Sequence, residues 1–176
     1  LTSLGLNVIN KVVKVTDKYV IMRHVVRNKV YNNLGIPVRG ALVKVFGDLV
    51  LSEPLRFRGK NYYEEQLTLK SSNYYLFHFD DDVEIGPRDI YEYEYEFYLK
   101  YFYPSDYFIV EPFNMTIRLN IKTYLDKNVI KAVQVKSLLP RFKKIKEDKG
   151  KTYHKLQFIM VPAHNSVELQ FDLSNN

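Results

Sequence analysis

Histidine is the side chain best suited to bind a metal or move a proton near neutral pH, and this chain has four: His24, His78, His154 and His164. They fall in separate segments, with no pair at the short spacing that seats two imidazoles on one cation. Each is therefore expected to be an ordinary strand or loop residue. A denser cluster, Asp80-Asp81-Asp82 with Glu84, collects the carboxylates that a hard cation such as calcium wants. It lacks the glycine and ligand spacing of a calcium loop and reads as a solvated acidic turn.

The opposite charge gathers at Arg141 to Lys151, where six cations against two carboxylates carry +4 of the chain's net +6. Such a run could hold a polyanion electrostatically. The remaining strands bear acids and no base-stacking aromatic signature occurs, so the run is expected to be a solvated hairpin loop, with no nucleic acid as partner. Asn114-Met115-Thr116 is the only N-x-S/T sequon, which makes Asn114 the candidate glycan acceptor in a secreted protein. Nucleophile elbow, phosphate-cradling glycine loop and dinucleotide fingerprint are all missing, and there is no cysteine. Catalytic residues, metals and cofactors are accordingly expected to be none, and the chain is read as not an enzyme.

Strands must position whatever these side chains do. Apolar residues alternate with polar ones again and again, and almost nothing has helical period. From Ile90 to Tyr103 the residues Tyr91, Tyr93, Tyr95, Phe97, Leu99, Tyr101 and Tyr103 share one face, while Glu92, Glu94 and Glu96 begin the other. Side chains of a strand point alternately to its two faces, so an aromatic ladder is expected in the core with carboxylates outside. Val167, Leu169, Phe171 and Leu173 repeat the pattern. Further strands are expected at Val8 to Val15, Tyr19 to Tyr31, Ala41 to Phe46, Tyr62 to Leu69, Tyr74 to Phe79, Met115 to Tyr124, Val129 to Val135 and Tyr153 to Val161. The one helix candidate, Ser137 to Ile145, is opposed by Pro140.

Gly, Pro, Asn and Asp clusters separate these runs. With 46% hydrophobic residues, 15 Tyr, 11 Phe and no Trp in 176 residues, the fold expected is all-β: a single two-sheet sandwich of about nine or ten strands. No apolar run reaches the ~20 residues of a membrane span.

At Asn33-Leu34-Gly35-Ile36-Pro37-Val38-Arg39-Gly40-Ala41-Leu42-Val43-Lys44-Val45 the chain resembles a hairpin of immunoglobulin-like modules, of the form G-x-P-V-x-G-A-x-V-x-V. Val161-Pro162-Ala163 followed by the strand 167 to 173 looks like the closing strand of such modules. The resemblance covers about a fifth of the chain. It implies an immunoglobulin-like sandwich and no chemistry, since function belongs to sites and not to folds.

Leu4, Leu6 and Val8 alternate with Ser3, Gly5 and Asn7 ahead of the first well-formed strand. The chain therefore divides into an N-terminal extension over 1–10, a candidate donor strand, and a sandwich domain over 11–176. Such a segment could fill a groove in a neighbouring copy, as in donor-strand-complemented pili, which the organisation resembles. Leu4, Leu6 and Val8 would be the groove-filling side chains. Phe97, Leu99 and Phe102, on a stretch apolar on both faces, would belong to the receiving sheet. An opening Leu1-Thr2-Ser3 fits a processed, secreted protein, and the enrichment in lysine, glutamate, isoleucine and tyrosine without cysteine fits a hot environment. The reading is a secreted structural protein, a subunit of an extracellular filament or cell-surface assembly joined by β-strand addition, whose partners are copies of itself. A sandwich-type viral capsid or spike protein is the first alternative. The second is a carbohydrate- or ligand-binding module with Tyr62-Tyr63 and Tyr74-Tyr75 as stacking surfaces.

Overall fold

The computed structural model describes residues 1–53, 55–58, 62–69, 72–79, 84–137 and 143–174. Among these residues the chain is all β-strand, with fourteen strands and no helix. In chain order they are β1 (Thr2–Val15), β2 (Tyr19–Tyr31), β3 (Gly40–Phe46), β4 (Asp48–Leu49), β5 (Arg56–Arg58), β6 (Tyr62–Leu69) and β7 (Ser72–Phe79). There follow β8 (Ile90–Phe102), β9 (Ser105–Val110), β10 (Met115–Tyr124), β11 (Ile130–Ser137), β12 (Lys143–Lys149), β13 (Tyr153–Val161) and β14 (Val167–Leu173).

Eight strands form one large sheet in the order β12-β13-β10-β1-β2-β8, with β4 and β5 both paired to the far edge of β8. The second layer is made of two three-stranded sheets, β11-β14-β9 and β3-β7-β6, which touch where β3 meets β9. One continuous core lies between the layers, with Val8, Met22, Leu99, Leu119 and Leu156 from the large sheet and Val43, Phe77, Leu169 and Phe171 from the small ones. The aromatic ladder of β8 faces this core as its alternation requires: Tyr93, Phe97, Leu99 and Tyr101 are buried and Tyr95 packs against them. Phe57 of β5 stacks across the layers on Phe77 of β7 at 4.4 Å and within its own sheet on Tyr93 at 5.2 Å.

The N-terminal segment is not an extension. β1 lies in the middle of the large sheet, parallel to β10 (Leu6↔Leu119, Val8↔Ile121) and antiparallel to β2 (Leu6↔Asn28, Val8↔Val26). The expected boundary between residues 10 and 11 cuts this strand in two. Both of its edges are hydrogen-bonded and its side chains Leu6 and Val8 are 6% and 2% exposed, so its own fold consumes what a donor strand would have offered to a neighbour. The sequence pattern was right about the strand and wrong about its destination, because alternation tells which side chains are buried and not in which molecule.

Four strands escaped the sequence reading: the two- and three-residue β4 and β5, β9 behind the Tyr103-Pro104 turn, and β12. β12 replaces the expected solvated loop and the C-terminal end of the helix candidate: Lys143 to Lys149 pair with β13 in a hairpin, with a bulge between Lys144 and Lys146. Most other strands match closely, Tyr19–Tyr31, Tyr62–Leu69, Met115–Tyr124, Tyr153–Val161 and Val167–Leu173 residue for residue.

Candidate functional site

One constellation in the core has the ingredients of proton-transfer chemistry. His24 on β2 lies between Asn10 of β1, whose Oδ1 is 2.7 Å from Nδ1, and Tyr101 of β8, whose hydroxyl is 2.8 Å from Nε2. The amide of Asn10 donates to Thr123 Oγ1 at 3.2 Å, which leaves its oxygen to accept from the ring. The imidazole is thereby fixed as the neutral Nδ1–H form, with Nε2 accepting from Tyr101. His24 also stacks between Phe97 and Phe108, with centroids 5.1 and 4.3 Å away. Burial pushes its pKa down to about 3 and that of Tyr101 well above the usual phenol range. His24 is 0% and Tyr101 1% exposed, so no substrate reaches them. The chain Thr123–Asn10–His24–Tyr101 is a satisfied polar strut across four neighbouring strands, which fixes their register.

The accessible site is the outer face of the large sheet. Its charges divide into two halves. On β2 and β8 six charges form three pairs: Arg23 Nε donates to Glu96 at 3.0 Å, Arg27 to Glu94 at 2.8 Å, and Lys29 lies 3.6 Å from Glu92, while Lys100 lies over the Tyr19 ring at 5.2 Å. On the other half, β1, β10, β13 and β12 present Lys11, Lys122, Lys155 and Lys146. None of these four ammoniums forms an ion pair with a described carboxylate.

Between the lysines runs a row of amides. Register places Asn7 beside Asn120 and Asn120 beside Gln157. Gln157 Nε2 donates to Asn120 Oδ1 at 3.0 Å, and Asn120 Nδ2 donates to Asn7 Oδ1 at 2.9 Å. The row floors a depression of about 510 Å³ that Lys122, Lys146, Asp148 and Lys155 rim. Two phenols stand at its end. Lys122 Nζ donates to the Tyr124 hydroxyl at 3.0 Å and lies 4.4 Å from its ring centre. That bond, with the field of Lys11 and Lys155, holds the Tyr124 phenol below its ordinary pKa. Tyr153 sits under Lys155 Nζ at 4.6 Å and donates to Asp148 at 3.3 Å. Its ring packs on Gly150, where an added Cβ would meet Tyr153 at 3.0 Å, so the bare glycine of the β12–β13 turn lets the phenol lie flat.

No protein family and no curated protein sequence matches the chain. Among solved structures it is similar to an M1 zinc metallopeptidase from Deinococcus radiodurans, with a TM-score of 0.47 and 6% identity over 97% of this chain and 42% of that one. A putative protease from Parabacteroides distasonis ATCC 8503 gives a TM-score of 0.46 and 8% identity, over 97% of this chain and 40% of that one. The chain thus spans about two fifths of the length of these proteins. Zinc is named for the Deinococcus enzyme alone of these two; among the described residues here, no group of three or more His, Cys, Asp or Glu side chains is placed to hold a metal ion.

The remaining expected site residues scatter. Leu6, Val8, Phe97 and Leu99 lie in the core of their own sandwich; Leu4 is half-buried and Phe102 is 44% exposed, edge-on to Tyr19. An interface built on the four core residues would require the fold to open. Asn114 is half-buried just before β10, and the hydroxyl of the buried Thr116 donates to its carbonyl at 3.1 Å. Asp80, Asp81 and Asp82 lie outside the described residues, as do Arg141 and Phe142; Glu84 of that acidic cluster pairs with Arg39 at 3.1 Å. His154 Nε2 donates to the Glu147 carboxylate at 3.0 Å, and His164 lies exposed against Phe113. The sequence reading missed the amide row because its members, residues 7, 120 and 157, meet only through the parallel β1–β10 and antiparallel β10–β13 pairings. Their single shared signal was an outward, polar place in an alternating strand. No helix among the described residues is long and apolar enough to cross a membrane.

Proposed function

We propose that the chain is a structural contact module of an extracellular or cell-surface assembly, which works by binding through the outer face of its large sheet and catalyses no reaction of its own. The observation that carries this reading is the preorganised face: a hydrogen-bonded amide row on the floor of a 510 Å³ depression, held on rigid strands. Binding sites with fixed polar groups lose little entropy on association.

The sheet edges support a face over an edge as the contact. β12 carries exposed Lys144, Lys146 and Lys149 along its length, a charge pattern that discourages strand addition. The opposite edge of β8 is already occupied by β4 and β5, and by the Val50 amide donating to the Tyr98 carbonyl at 3.0 Å. Polymerisation, where it occurs, would then join copies through surfaces other than residues 1–8.

The absence of cysteine from the chain permits a direct test. Asn120→Cys, coupled to a bulky polymer on the face, should lose retention on the envelope fraction of source cells, whereas Lys127→Cys with the same polymer should keep it. Equal retention of both conjugates would refute the reading.

A further inference from the structure

The two halves of the outer face differ in a way that specifies a ligand. On the β2–β8 half every arginine and lysine of the three pairs is neutralised in place. On the other half Lys122, Lys146 and Lys155 line one depression with Asp148 as its one lining carboxylate and the paired Arg27 at its far side, and Lys11 lies near enough to act on the Tyr124 phenol. Like charges brought together repel, so this grouping is destabilising until an anion covers it.

The amide row adds a second requirement. Asn7 has spent neither N–H, Asn120 and Gln157 have each spent one, and Gln157 Oε1 accepts from no described group. The row therefore offers donors and an acceptor side by side, at the ~4.8 Å spacing of adjacent strands. A partner that satisfies it must bring hydroxyls as well as negative charge. DNA phosphates only accept hydrogen bonds. A planar bilayer cannot follow a concave floor. We propose that this face binds an acidic polysaccharide laid across β1, β10 and β13, whose carboxylates meet the lysines and whose hydroxyls meet the Asn7–Asn120–Gln157 row. The Tyr124 hydroxyl, held by Lys122, takes part at the edge of the same site.

This assignment rests on the reading of the outer face as the contact surface. The test titrates the whole chain with polygalacturonate, with its fully methyl-esterified form, with polyacrylate of matched charge, with mixed-sequence duplex DNA and with phosphatidylserine vesicles. Polygalacturonate should bind at least tenfold more tightly than every other probe, with an affinity that falls steeply as salt rises. The double variant K122Q/K155Q should weaken it at least tenfold at unchanged melting temperature, and K127Q should leave it within twofold. N120A should remove the preference for polygalacturonate over polyacrylate, which carries carboxylates without hydroxyls. Equal affinity for the two polymers, tighter binding to DNA or vesicles, no binding to polygalacturonate, or indifference to K122Q/K155Q would each overturn the proposal. Loss of envelope retention in the Asn120→Cys conjugate without polygalacturonate binding would remove the ligand and leave the face; retention of that conjugate would remove both.

Discussion

A histidine that sequence alone treats as unremarkable is buried and held at both ring nitrogens. His24 satisfies two neighbours at once, and each buried partner left unpaired costs about 1–3 kcal/mol. His24→Phe should therefore lower stability by about 2–5 kcal/mol in urea unfolding. The pH dependence follows from the same burial. The folded pKa of about 3 lies below the ordinary 6.5, so the unfolded chain binds a proton that the native state refuses. Stability from this group is complete above pH 6.5 and is lost as pH falls toward 3, by roughly 1.4 kcal/mol per pH unit. His24→Phe should flatten that slope between pH 6 and 4 relative to the parent chain; an unchanged slope would show that His24 is protonated in the folded protein. Phe97→Ala, in the buried ladder, should cost on the order of 3–5 kcal/mol. The ladder was legible in the residues themselves, since strict alternation of aromatics and glutamates leaves one register in which the core stays apolar. The partners of His24 were not, because Asn10, Tyr101 and Thr123 come from three other strands and nothing local marks them as neighbours.

Strands carry the next set of consequences. β1 is the central strand that joins β2 to β10, and its deletion removes two hydrogen-bonded ladders together with Leu6 and Val8 from the core. Removing residues 1–7 should leave no cooperatively folded monomer, seen as loss of a sigmoidal thermal transition; a stable truncated sandwich would show that the segment is dispensable after all. β12 makes a milder case. Glu147 bridges Lys144 at 2.6 Å and His154 at 3.0 Å, and these bonds, that to Lys144 first, hold its carboxyl down at about 2. The stability it lends is present above the ordinary carboxylate value of 4.5 and is lost as pH falls toward 2, a partly exposed contribution that solvent and salt reduce. Ends and edges were the part of the architecture that alternation could not resolve. A lysine-rich strand such as Lys143–Lys149 has the composition of a loop, and it becomes a strand because β13 offers it an open edge.

At the scale of the molecule, an all-β sandwich was readable from strand count and turn chemistry, while its division into one eight-stranded sheet and two three-stranded ones was not. That division matters for function. It leaves one broad sheet face outside the sandwich, with three ion pairs on one half and four lysines outside any described ion pair on the other. The central claim is that this second half is the surface the protein uses. Lysine acylation footprinting on intact source cells tests it most directly. Lys11, Lys122, Lys146 and Lys155 should react with an acylating reagent in the isolated chain and be protected in place on the cell, while Lys18, Lys127 and Lys131, exposed elsewhere, react equally in both. Equal reactivity of all seven lysines in the two settings would contradict the account.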